Sequence, residues 1–189
     1  MTRKIGILIV VAVGLLWGLS EIFSGDVFYR FQIPMRASVL TAIGLALLVV
    51  GRLAFDKPGT SLAASIIAGA LRCLVPKLYI CHMIAIALEG CMFDVSWTAL
   101  RAGETRSLRR AWLSAAVASF VGFMSFGFVG AYGFKFGRWV VAGPGGITIW
   151  ALKSGTVSTV LLVGLVPLAV IAARRLMAIP SPSEKTTRM

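Results

Sequence analysis

Charge is what this chain has least of. Only 14% of its residues are Asp, Glu, Lys or Arg, against about 25% in soluble domains, and just seven are acidic. An ordinary water-facing surface cannot be covered from that supply. There is one histidine, which excludes a bis-histidine haem and any multi-histidine metal centre. The three cysteines, Cys73, Cys81 and Cys91, form no CxxC pair and no Cys/His cluster of metal-binding spacing, so they read as small apolar packing residues. No Walker loop, HExxH, GxSxG or carboxylate pair at diiron spacing occurs. The chain is therefore expected to be no enzyme and to need neither metal nor cofactor.

What the chain has in abundance is apolar length. Hydrophobic residues make up 58% of it, in runs that begin at Ile5 and end at Leu176. A spanning helix needs roughly 20 apolar residues. Spans are expected over Ile5–Phe23, Ala37–Phe55, Ser61–Val75, Tyr79–Trp97, Ala111–Ala131 and Ile147–Ala173. The third is short and rich in small residues (Ala63, Ala64, Ser65, Ala68, Gly69), which suits burial among other helices. Asp56-Lys57-Pro58-Gly59-Thr60 reads as a tight turn, with Thr60 or Ser61 as the cap of the following helix. The aromatic, polar stretch Ser24–Arg36 reads as an interfacial loop, and a Gly-rich connection containing Gly143-Pro144-Gly145-Gly146 precedes the last span. The expected fold is all-α, a polytopic membrane bundle of about six transmembrane helices over residues 1–176. A Pro/Ser-containing tail, residues 177–189, is expected to be disordered and cytoplasmic. The first apolar run is longer than a signal-peptide core and no small-x-small cleavage site follows it, so it reads as a span.

The formal net charge of +12 finds its explanation at the membrane surface and not in nucleic acid. With both termini in the cytoplasm, twelve basic residues fall on the inner side and seven on the outer, as the bias of Lys and Arg towards cytoplasmic loops requires. This predicts an N-in, C-in arrangement in contact with the lipid bilayer.

The charges inside the apolar runs are the candidate functional residues, because an ionisable group in hydrocarbon is costly and needs a partner or a role. Glu89 lies about ten residues into the fourth span, and His82 stands seven residues earlier, on the same helical face. Glu21 closes the first span and Arg72 the third, at the same expected level, with Lys77 beside them and Lys153 in the sixth span. Convergence of Glu21, Arg72, His82, Glu89 and Lys153, with Trp150 as an apolar or stacking wall, would build an outward-facing pocket for a small polar or zwitterionic ligand. The competing reading is that Glu89 and His82 only lock helix packing and that the cations snorkel to the headgroups. Gly14 and Gly18 form a GxxxG pattern in the first span, a face where a partner helix or a neighbour in the bundle can approach closely.

The chain resembles the substrate-binding (S) component of an energy-coupling factor (ECF) type vitamin transporter. The resemblance rests on size, on six expected spans and on three features of the first half. These are Trp17-Gly18-x-x-Glu21 closing span one, Pro58-Gly59-Thr60-Ser61 opening span three, and Arg72-x-x-x-Pro76 before a polar span four carrying Glu89. It is similar to the S-component-like membrane proteins more than to any named vitamin binder. The resemblance implies a ligand pocket near the outer face, roofed by Ser24–Arg36, with release driven by two cytoplasmic ATPases through a transmembrane coupling subunit. Small residues of the first helix dock that subunit in the family, and here Gly14 and Gly18 would serve.

The function expected on these grounds is a binding subunit for uptake of a small water-soluble metabolite across the cytoplasmic (inner) membrane of a prokaryote. The alternative is a non-transporting scaffold of a larger membrane complex. A proton- or ion-coupled carrier working through Glu89 and His82 is a third reading, against which stands the lack of an internal repeat.

Overall fold

The computed structural model describes residues 3–74, 80–102 and 107–178. Those residues are almost wholly helical, with no strand among them. Six helices follow one another: α1 (Arg3–Arg30), α2 (Arg36–Ala54), α3 (Thr60–Leu71), α4 (Ile80–Ala99), α5 (Leu108–Phe128) and α6 (Gly137–Ala178). A tight turn, Arg72–Leu74, prolongs α3, and a wide turn, Val129–Gly133, prolongs α5. Five helices are long and apolar enough to cross a membrane: α1, α2, α4, α5 and α6. Length and composition thus mark a membrane-integral protein.

The exception is α3. With its terminal turn it covers Thr60–Leu74, about 24 Å at the rises of the two helix types, short of the roughly 30 Å of a hydrocarbon core. Of the six expected spans, five correspond to helices long and apolar enough to cross a membrane, and the third, expected to be short, is a short apolar helix.

Three boundaries differ from the sequence expectation. The polar stretch after Phe23 does not leave the helix: α1 runs on to Arg30. No proline occurs before Pro34, and a single glycine costs only about 1 kcal/mol in a helix, so Ser24, Gly25 and Asp26 do not stop it. The connection shrinks to residues 31–35, where Gln32 and Met35 take positive φ. The second difference is at α6, which starts at Gly137, ten residues before the expected Ile147, and is broken at Gly143 (φ 63, ψ 179). That conformation is essentially reserved for glycine, and Pro144 then restarts the helix as a first-turn proline. Third, α3 is capped neither by Thr60 nor by Ser61; Gly59 at φ 85 occupies the cap position, and the free N–H groups go elsewhere, as described below. The tail expected to be disordered lies outside the described residues from residue 179 onward.

Packing order is a ring. Helix α1 packs on α2 and α3, α3 on α4, α4 on α5, α5 on α6, and α6 closes back on α2. Helix α2 also reaches α3, α4 and α5, so it serves as the central post. Neighbouring pairs fix the directions. Gly14 faces Ala64 and Gly18 faces Ala68, so α1 and α3 run parallel. Gly69 faces Met83 and Gly90 faces Ser65; Gly122 faces Glu89 and Ser96 bonds the Ser114 carbonyl; Gly127 faces Ile147 and Gly155 faces Phe120; so α3/α4, α4/α5 and α5/α6 run antiparallel. The first residues of α1 and the last of α6 therefore share one end of the bundle. The core holds Trp17, Leu45, Leu48, Phe93, Trp97, Leu162 and Val166, all fully buried, and a smaller cluster gathers round Trp139 and Ile147.

Candidate functional site

Among the described residues, two groups of buried ionisable side chains stand out from the apolar interior. The first forms at the end of the bundle that carries the termini, and sequence reasoning did not assemble it. Arg52, one turn from the end of α2, has a side chain only 3% exposed. It reaches Asp56 Oδ1 at 3.0 Å and Asp94 Oδ1 at 3.3 Å, and donates to the Lys57 carbonyl and to Thr60 Oγ1. Its guanidinium lies over the Trp97 ring, 5.8 Å from the centroid, while Trp97 Nε1 donates to Asp56 Oδ1 at 3.1 Å. Asp94 accepts the N–H of Ser61 (3.3 Å) and of Leu62 (2.9 Å). A carboxylate from α4 thus supplies the N-terminal cap that α3 lacks in its own sequence, next to the positive end of the helix dipole. Arg52–Asp56 at i,i+4 was a readable signal; the Asp94 link, between helices far apart in the chain, was not. Both oxygens of Asp94 are partnered within the chain, while Arg52 Nε and Ser61 Oγ are buried without partners, and the group reads as a lock joining α2, α3 and α4.

The second group contains the residues singled out from the sequence. Glu21 on α1 is 5% exposed and Glu89 on α4 is 7% exposed, and the two carboxylates lie within electrostatic range of each other. Arg72, in the turn after α3, is within range of Glu21, and its guanidinium folds against α1 at Gly25, 3.4 Å from where a side chain there would begin. Glu89 Oε2 accepts a hydrogen bond from Thr41 Oγ1 of α2 at 3.1 Å, while Glu89 Oε1 is buried with no donor. Trp17, fully buried one turn before Glu21, turns its indole towards that carboxylate but falls short of hydrogen-bond geometry, and its Nε1 is left without a partner. Arg72 Nε is likewise buried without one. Thus α1, α2, α3 and α4 each bring one polar side chain to a common place.

The remaining candidates separate from this group. His82 stands at the exposed start of α4, with Nδ1 3.8 Å from Cys81 Sγ, and feels Arg72 and Arg36. It shares the shallow end of the site but not the buried depth of Glu89. Trp150 is taken up by an aromatic cluster, 4.4 Å from Trp139, 5.2 Å from Phe123 and 6.3 Å from Phe126 between ring centroids. Lys153 faces outward and lines an open groove with Met35, Leu152, Thr156 and Val157. Lys77 lies outside the described residues. The GxxxG face receives α3 of this same chain in place of a partner helix. A methyl group on Gly14 would come 2.7 Å from the Ala64 carbonyl oxygen, and one on Gly18 would come 2.5 Å from the Leu71 side chain.

A small hollow of about 10 Å³ adjoins Arg52, and the open groove at Lys153 holds about 500 Å³. Neither touches Glu21, Arg72, His82 or Glu89. Cys73, Cys81 and Cys91 are all unbridged thiols. Comparison of the chain with protein-family models, with curated proteins and with solved structures finds no match.

Proposed function

We propose that this protein is a membrane-embedded binding subunit for uptake of a small water-soluble metabolite, with Glu21, Arg72 and Glu89 as its polar contacts. The observation that carries this reading is the grouping of unpaired atoms around Glu21. An acceptor (Glu89 Oε1) and two donors (Arg72 Nε and Trp17 Nε1) are all buried without partners. Each such atom costs about 1–3 kcal/mol, and ionisable groups at this depth mark ligand or ion sites by default. A ligand carrying both donors and acceptors recovers that cost; an apolar one does not. Since Glu21 and Glu89 are almost wholly buried, admission of a ligand requires the helices that carry them to move, a rearrangement that a binding subunit undergoes and a static scaffold does not.

Orientation follows from the loop charges. The end bearing the termini also bears Lys4, Lys57, Arg109, Arg110, Arg174 and Arg175, which supports its assignment to the cytoplasm of a prokaryotic cell. The polar site then lies towards the outside, with α3 as a short sixth span. In the S-component reading, energy comes from partner ATPases through a transmembrane coupling subunit. With Gly14 and Gly18 occupied by α3, that subunit would meet the outward face of α1, where Leu8, Leu15, Leu16 and Leu19 are exposed.

The test is purification from native membranes in mild detergent, followed by mass spectrometry of proteins and small molecules together. A stoichiometric metabolite, or an ATPase pair with a coupling subunit, is the expected outcome. A constant set of other membrane proteins with neither ligand nor ATPase would overturn the reading in favour of a scaffold.

A further inference from the structure

We propose that the groove at Lys153 is a binding site for one phospholipid with an anionic headgroup. Between Trp139 and Ala173, Lys153 is the one charged residue of α6. It stands on the outer wall of the bundle, among side chains that face lipid: Ile149, Leu152 and Val160 are all more than half exposed. Among the described residues it has no ion-pair partner, and none of the residues that line the groove is acidic. A primary ammonium at such a position needs an anion or a path to the interface.

The groove offers a place for the rest of such a lipid. It is an open furrow of about 500 Å³ on the outer wall, lined by Met35, Leu152, Thr156 and Val157 together with the lysine, the form of a surface a lipid lies along and not of an enclosed pocket. Met35 immediately precedes α2, so the groove reaches the level where α2 begins. Charge at one end and apolar walls along the length match a phosphate ester joined to an acyl chain. A soluble anion would use the first feature and leave the second idle. The assignment is independent of the uptake reading and moves Lys153 from the metabolite site to the lipid-facing surface.

Native mass spectrometry of the full-length protein, titrated with dioleoyl phosphatidylglycerol or dioleoyl phosphatidylcholine, tests it. Wild-type protein should retain one phosphatidylglycerol with a preference of about fivefold, the effect of a single basic residue near a charged lipid surface. Lys153→Gln should remove the preference, and the exposed position makes the substitution safe for folding. Val157→Trp, which fills the groove and leaves the lysine, should reduce retention of both lipids, whereas Lys57→Gln at the other end should change nothing. An undiminished preference in Lys153→Gln overturns the proposal. So does displacement of the lipid by glycerol phosphate alone, which would make the site one for free anions.

Discussion

Asp94 caps a helix to which it does not belong: its Oδ2 accepts the N–H of Leu62, 32 residues earlier in the chain, at 2.9 Å. Its other oxygen meets the buried Arg52 at 3.3 Å. One carboxylate therefore ends the electrostatic isolation of α2's arginine and satisfies the first turn of α3. Asp94→Ala should lower stability by about 2–4 kcal/mol, since a cap is worth about 1 kcal/mol and stranding a buried charge costs 3–5 kcal/mol when no second partner remains. Asp56 is that second partner here, which keeps the total below the sum. Thermal unfolding in detergent measures it. If Asp94→Ala costs no more than a surface substitution, the lock has been misassigned.

Gly14 and Gly18 should tolerate no side chain. Gly14→Ala places a methyl 2.7 Å from a backbone oxygen of α3, and overpacking of this kind costs about 1–3 kcal/mol. Gly164→Ala is the control. No atom lies within 4 Å of its would-be side chain, and the better helix propensity should leave it neutral or more stable by up to about 1 kcal/mol. Equal effects at the two positions would contradict the α1–α3 contact.

Glu89→Gln keeps an acceptor for Thr41 but exchanges the carboxyl for an amide. The bundle should fold with an unchanged unfolding midpoint, and affinity for the co-purifying metabolite should fall by roughly 3–10-fold, the value of one lost hydrogen bond. Arg72→Ala should weaken the same binding. Unaltered affinity in both variants would remove these residues from the site.

Gly143 sits at φ 63, ψ 179, with no atom near its missing side chain. Space is therefore free and conformation is not. Gly143→Ala should cost about 1–3 kcal/mol of backbone strain, and Gly145→Ala, equally uncrowded but without a positive φ, should cost much less. Similar midpoints for the two variants would mean that the break relaxes at no penalty.

How much of this was legible beforehand depends on the range of the interaction. Helices α2 and α4 lie within a few residues of where the apolar runs put them, and Asp56–Thr60 is the turn its Pro and Gly announce. Local polarity misled at Ser24–Arg30, where a helix anchored by its first five turns simply carries on. Glu21, Arg72 and Glu89 do converge, because a charge in an apolar helix has few places to go. Trp150 and Lys153 were grouped with them by depth alone; one turns into an aromatic cluster and the other away from the bundle, a rotation about α6 that composition does not encode. Arg52 is absent from the candidates read off the sequence because its second carboxylate arrives from a helix 42 positions later.

The closing contact of the ring, α6 against α2, joins two helices far apart in the chain. During synthesis α2 must wait, with one flank uncovered, until about a hundred further residues have left the ribosome. The half-made protein is a curved palisade whose gap is sealed only when α6 inserts. A chain cut short after α5 would have the residues of the Arg52 lock and of the Glu21 group, yet leave bare the flank of α2 that α6 covers, the kind of exposed surface through which partly made proteins misassemble.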